Sequence, residues 1–142
     1  AQVAQASQVF VFAINKNYTA EHVDAYAQNI VETRGVTLED IKGFVDTMLS
    51  TVNSRTQDQL AVWNARQAYI SLGFLLETAA LNDIDACPME GFDNAKFDEI
   101  LGLDALNLTS VVMAPVGFRS DDDKYQFAKK VRKSKEDLFV MI

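Results

Sequence analysis

Few side chains in this sequence stand where they could carry chemistry of their own. There is one histidine and one cysteine in 142 residues. His22 falls on the polar face of an expected helix and reads as a solvated surface residue rather than a general base. Cys87 has no histidine downstream and reads as a small, buried apolar residue rather than a nucleophile. No second His or Cys lies at metal-ligand spacing, so no zinc site is expected. Asp121, Asp122 and Asp123 are consecutive, point in different directions and read as a solvated turn. No glycine-rich phosphate loop occurs. Two features remain. In Pro88-Met89-Glu90-Gly91 the proline removes a donor and fixes φ, while the glycine permits positive φ and close approach of backbone to a ligand. Lys130 and Arg132 lie two apart and would project to one side of an extended segment. Such a pair can clamp a phosphate, arginine as a fork and lysine as a point charge. Taken alone, the first feature also reads as an ordinary connection and the second as a solvated charge run.

The charge distribution bears on that choice. The net charge of −7 argues against nucleic acid as a partner. Residues 1–118 carry six basic and fifteen acidic groups, whereas 119–142 carry seven basic and five acidic. Five cations, Lys129, Lys130, Arg132, Lys133 and Lys135, crowd into seven positions. The length fits one domain spanning 1–142. With 49% apolar and 23% charged residues, the composition is that of a globular protein. A lone cysteine excludes an internal disulfide and points to a reducing, cytoplasmic setting. No apolar run approaches the roughly 18 residues of a membrane span, and the start has no signal-peptide pattern.

The elements that must position these groups follow from periodicity. Val9 to Ile14 is a short apolar run rich in β-branched and aromatic residues, which predicts a strand buried on both faces. Val23, Tyr26, Ala27, Ile30 and Val31 form a helical stripe within a helix from about Thr19 to Arg34, with Gly35 as its C-terminal cap. Thr37 is the expected N-cap of a second helix carrying Leu38, Ile41, Val45, Met48, Leu49 and Val52. Thr56 and Gln59 have capping-box spacing for a third helix, Gln57 to Leu81. From Ala68 onward that helix is apolar nearly all round, which predicts burial from several sides, in a core or between subunits. Gly73 inside it predicts a closely packed neighbour. A loop over 83–92 precedes a short helix, Asp93 to Leu101. Ser110 to Phe118 reads as a second buried strand whose ladder must break or bulge at Pro115. Leu138 to Ile142 is a possible third strand. So few strands make a short sheet, which predicts completion by another subunit or by an N-terminal piece of the fold.

The whole order of elements resembles the flavin-dependent nitroreductase family. The resemblance is carried by Trp63…Arg66-Gln67-Ala68-Tyr69 leading into the long apolar helix, then Ala79-Ala80-Leu81…Asp85-Ala86-Cys87-Pro88-Met89-Glu90-Gly91-Phe92-Asp93. It continues through Leu101-Gly102-Leu103, Val111 to Gly117 and Lys129-Lys130-Val131-Arg132. It covers essentially the whole chain and is nearest to the oxygen-insensitive NAD(P)H nitroreductases and the quinone or dihydropteridine reductases.

The resemblance implies an α+β, three-layer, helix-rich sandwich whose small central sheet is completed by a partner subunit. It further implies a homodimer through the helix around Gln57–Leu81, with FMN at the subunit interface. Pro88, Met89, Glu90 and Gly91 would lie along the flavin ring, with the backbone N–H near Glu90 and Gly91 meeting the nitrogen that accepts hydride. Lys130 and Arg132 would hold the ribityl phosphate, and Met48 and Leu49 would belong to a region covering the substrate side. NAD(P)H would be the co-substrate, and a nitroaromatic or quinone would take the electrons in a ping-pong scheme with no dedicated catalytic side chain. Two features of the family pattern have no match in 1–142: an Arg/Ser-rich segment at the flavin phosphate and an Asn-containing loop against the ring. Both belong to the family's N-terminal third, which the sequence is expected to lack. The alternative is a non-catalytic truncated relative or fragment that serves only as a helical dimerisation module without stable FMN.

Overall fold

The computed structural model describes residues 2–142. A short helix, α1 (Gln2–Gln5), leads into strand β1 (Gln8–Asn15). Three helices follow, α2 (Ala20–Arg34), α3 (Lys42–Asn53) and α4 (Gln57–Leu81). Then come β2 (Asp85–Ala86), α5 (Asn94–Leu101), β3 (Leu108–Gly117) and a last helical turn, α6 (Lys135–Leu138). The strands form one antiparallel sheet in the order β1-β3-β2. This is a helix-rich α+β architecture with a small sheet.

The helix boundaries follow local chemistry closely. Gly35 ends α2 at φ 66°, its N–H donating to the Val31 carbonyl at 2.9 Å, a left-handed cap that glycine adopts without strain. Thr56 and Gln59 form the expected reciprocal box at the start of α4. The Gln59 N–H donates to Thr56 Oγ1 at 3.3 Å, and the Thr56 N–H to Gln59 Oε1 at 2.9 Å. One boundary differs. Thr37 exchanges hydrogen bonds with Asp40, but the turn it caps precedes the helix proper, which begins at Lys42.

α4 organises the core. Leu60, near its start, is buried with Val23 of α2 and Val52 of α3, and Met48, Leu49 and Trp63 pack against them. About three turns of helix further on, Leu72 meets Val112 and Ala114 of β3, flanked by Phe12 of β1 and Leu76. The expectation that α4 is buried from several sides fails within the chain. Val62, Ile70, Phe74 and Leu81 are exposed, and a Cβ added at Gly73 would meet nothing within 4 Å. The neighbour predicted for Gly73 is therefore not found among the described residues.

The sheet brings three further outcomes. β3 is central and carries the buried Val112, Met113, Ala114 and Val116. β1 pairs only with β3, so it is half-buried at an edge rather than enclosed on both faces, and Phe10 is exposed. The ladder does break at Pro115, on its β2 side. The Pro115 carbonyl accepts from the Cys87 N–H at 3.1 Å, but proline has no N–H to return. Pairing stops after Ala86 opposite Val116 and resumes only at a bridge between Met89 and Met113. The third strand is thus Asp85–Ala86, inside the expected loop, and not Leu138–Ile142. Ser134 Oγ accepts the Asp137 N–H and turns the chain into α6, after which residues 139–142 run on exposed.

Candidate functional site

The Pro88–Gly91 loop takes its shape from that broken ladder. Released from pairing at Pro88, the chain returns to β3 for one residue: the Met89 N–H donates to the Met113 carbonyl at 2.7 Å, and the Met113 N–H returns to Met89 at 3.0 Å. Phe92 then donates to the Glu90 carbonyl at 3.0 Å and closes a turn. Among the described residues, neither the Glu90 N–H nor the Gly91 N–H donates to a protein acceptor. Gly91 does not use positive φ, unlike Gly35 and Gly102. A Cβ there would meet nothing within 4 Å, so the backbone is open to close approach. Tyr69 reaches the loop from α4, and the neighbouring Glu90 carboxylate, with some desolvation, lifts the phenol above its usual pKa.

Behind the loop runs a groove of about 750 Å³, lined by Leu76 and Ala80 of α4, the segment Asp83 to Ala86, Pro88, Arg119 and Arg132. Its most ordered polar feature is an ion pair. Arg119 donates from Nε and NH2 to the two oxygens of Asp85, both at 2.6 Å, the bidentate fork that suits guanidinium to carboxylate. The hydrogen bond from Arg119 holds the Asp85 carboxyl below its usual pKa against partial desolvation, and the nearby charges of Arg119 and Lys130 add to the effect. Arg119 is raised in turn, chiefly by its bond to Asp85. Lys130 and Arg132 sit on an exposed, irregular segment that precedes α6. Neither has an acidic partner within salt-bridge distance among the described residues.

The fold therefore brings Pro88 and Arg132 to one groove and places Lys130 within electrostatic reach of Asp85. Met89, Glu90 and Gly91 continue along the loop without lining that groove. Arg119 and its fork to Asp85 were not singled out from sequence. The antiparallel register, which sets Asp85 opposite Gly117, makes them neighbours, and no local pattern encodes it.

Two side chains need correction. His22 is not a solvated surface residue: its Nδ1 accepts the Thr19 N–H at 3.1 Å and its ring stacks on Tyr18 with centroids 4.7 Å apart. The missed signal is Thr19 three residues before His22, a capping-box spacing. Cys87 is only partly buried. Met48 and Leu49 pack into the helical core around Leu60. Asp121–Asp123 does form a turn, in which Asp123 Oδ1 accepts the Tyr125 N–H at 2.9 Å. Among the described residues no three His, Cys, Asp or Glu side chains gather as metal ligands, and no helix is long and apolar enough to cross a membrane.

Comparison with known proteins places this geometry. The model of the nitroreductase family matches residues 2–118. A Staphylococcus haemolyticus protein provisionally named an NAD(P)H nitroreductase is 34% identical over 155 residues, covering 99% of this chain and 66% of its own length. Two solved structures share the fold at a TM-score of 0.80. One is described as an NAD(P)H:FMN oxidoreductase, provisionally assigned, from Staphylococcus epidermidis, 19% identical, and the other as a nitroreductase-like protein from Streptococcus mutans, 20% identical. Each alignment takes in 99% of this chain and 64% or 65% of the other.

Proposed function

The chain belongs to the nitroreductase family, and from that premise we propose that it is a single-domain FMN-dependent oxidoreductase using NAD(P)H. On this reading it passes hydride to nitroaromatic or quinone-type acceptors by a ping-pong sequence. The observation that carries the proposal is one coincidence of geometry: two adjacent backbone N–H groups without protein acceptors, at Glu90 and Gly91, lie on the same loop as Pro88, which shares a groove with Arg132. The residues present fit the cofactor. Among the described residues Lys130 and Arg132 have no carboxylate partner at hydrogen-bond range, and they would hold the ribityl phosphate. Pro88, Met89, Glu90 and Gly91 would lie along the ring, with the open backbone at Gly91 allowing close approach and the free N–H groups offered to the hydride-accepting nitrogen. FMN, when bound, supplies the two-electron chemistry. The protein then needs to bind and orient the reactants and exclude water, and no general base is required. His22, committed to capping α2, is not available as one.

The incomplete sheet and the bare face of α4 support a homodimer. The partner's helix would cover Ile70, Gly73 and Phe74, and its chain would complete the sheet. A reducing, cytoplasmic setting accords with the single cysteine. The second reading, a helical dimerisation module without stable FMN, draws on the same α4 face and needs nothing from the groove. One titration separates the two. The purified chain, incubated with excess FMN and freed of unbound cofactor, should retain flavin absorbance bands and oxidise NAD(P)H in the presence of a quinone. Loss of all flavin with retention of the dimer would leave only the module.

A further inference from the structure

Three positive groups converge near Asp85, and only one of them is tied to it. Arg119 spends both arms of its fork on the two carboxylate oxygens at 2.6 Å. Lys130 is close enough for its charge to act on Asp85, yet makes no ion pair with it. Arg132 lines the same groove and donates only to the Val131 carbonyl, at 2.7 Å. The remaining acidic groups nearby are Asp83, in the groove lining, and Asp123, whose charge adds to the hold on Arg119. A carboxylate at this point is a problem for an anion site. It repels a phosphate, and it competes with the phosphate for the flexible lysine.

We propose that Arg119 is a positioning residue that occupies Asp85 and so leaves Lys130 and Arg132 available to a phosphate. Arg119 takes the part because its planar fork saturates both oxygens in one geometry, whereas the lysine ammonium is a mobile point charge that would pair with whichever anion is nearer. The fork also ties the end of β3 to β2, two residues before the Cys87-Pro88 step, so it fixes the groove wall and its charge together. The phosphate is that of the cofactor on the reading given above, and the proposal rests on that reading for the identity of the anion alone.

The test is a cycle of Arg119→Gln and Asp85→Asn in the full chain, read first without ligand. In the parent chain Asp85→Asn should move the titration of Lys130, followed by its 13Cε resonance, less than it does once Arg119 is removed. In the Arg119→Gln background Lys130 should titrate higher, and adding Asp85→Asn should return it to the parent value. FMN binding should follow the same order: Arg119→Gln weakens it by roughly fivefold, the scale of one exposed charge pair, and the double variant recovers most of the loss. Riboflavin, which lacks the phosphate, should bind all the variants alike. A purely structural fork would instead weaken riboflavin and FMN together and gain nothing from the second substitution. That result overturns the proposal, as does a Lys130 titration indifferent to Asp85 in both backgrounds. Recovery failing while Asp85→Asn alone tightens FMN would make Arg119 itself a phosphate ligand and overturn it too. If the parent chain takes no FMN, the functional reading fails, while the ligand-free cycle still decides whether Arg119 guards Lys130.

Discussion

Asp98 shows how much one carboxylate can organise. It is a buried acid in α5, 4% exposed, and accepts the Ser110 N–H at 2.8 Å and the Thr109 hydroxyl at 2.6 Å. It thereby fastens the short helix to the start of β3, the central strand. Burial alone would raise its pKa, but the hydrogen bonds from Thr109 and Ser110 outweigh burial, and the carboxyl titrates below its usual value. A folded-state pKa below the unfolded value near 3.9 contributes stability that is present above that value and lost as pH falls through the folded one. The melting temperature should accordingly hold steady from pH 7 to about 5 and drop below about 4, and Asp98→Asn should flatten that drop while costing about 1–3 kcal/mol at neutral pH. Thermal melts of both proteins across the range check this, and equal acid slopes would refute it. At the proposed phosphate site, Lys130→Ala with Arg132→Ala should weaken FMN binding far more than Lys133→Ala with Lys135→Ala. Equal effects, measured by fluorescence titration, would mean that the tail acts only through diffuse charge.

At the scale of elements, α4 carries most of the architecture, and its cap and its core face contribute unequally. Thr56 closes the first turn by an exposed hydrogen-bonded box. Leu72 is buried against β3. Thr56→Ala should therefore cost about 1 kcal/mol, and Leu72→Ala about 2–5 kcal/mol because it leaves a cavity where helix meets sheet. Chemical denaturation of the two variants would rank them, and the reverse order would contradict this division of the core. The boundaries of α2 and α4 were legible because Gly35 and the Thr56–Gln59 pair act within one turn of themselves. β2 was not. It is two residues long, and it exists because β3 lies alongside it. Leu138–Ile142 has a strand's composition and joins no sheet, since composition cannot provide a neighbour.

At the scale of the whole molecule, the long helix leaves an apolar face of Val62, Ile70, Gly73 and Phe74 uncovered within the chain. If a second copy covers it, Ile70→Asp with Phe74→Asp should shift the protein from dimer to monomer in sedimentation. The melting of the monomer fold should change little, because neither side chain is buried within the chain. A variant that stays dimeric places the interface elsewhere. The sequence by itself determined the presence of α2 to α5, the caps at Gly35 and Thr56, the two longer strands, the family and the residues proposed to meet the cofactor. All of these depend on periodicity, short-range hydrogen bonding or a contiguous motif. Tertiary structure alone decided which strand is central and where the ladder breaks. It also set Pro88 beside Arg132 and gave Asp85 to Arg119 rather than to Lys130. Those are outcomes of register and of competition between charges distant in sequence, and they are settled only when the chain has closed on itself.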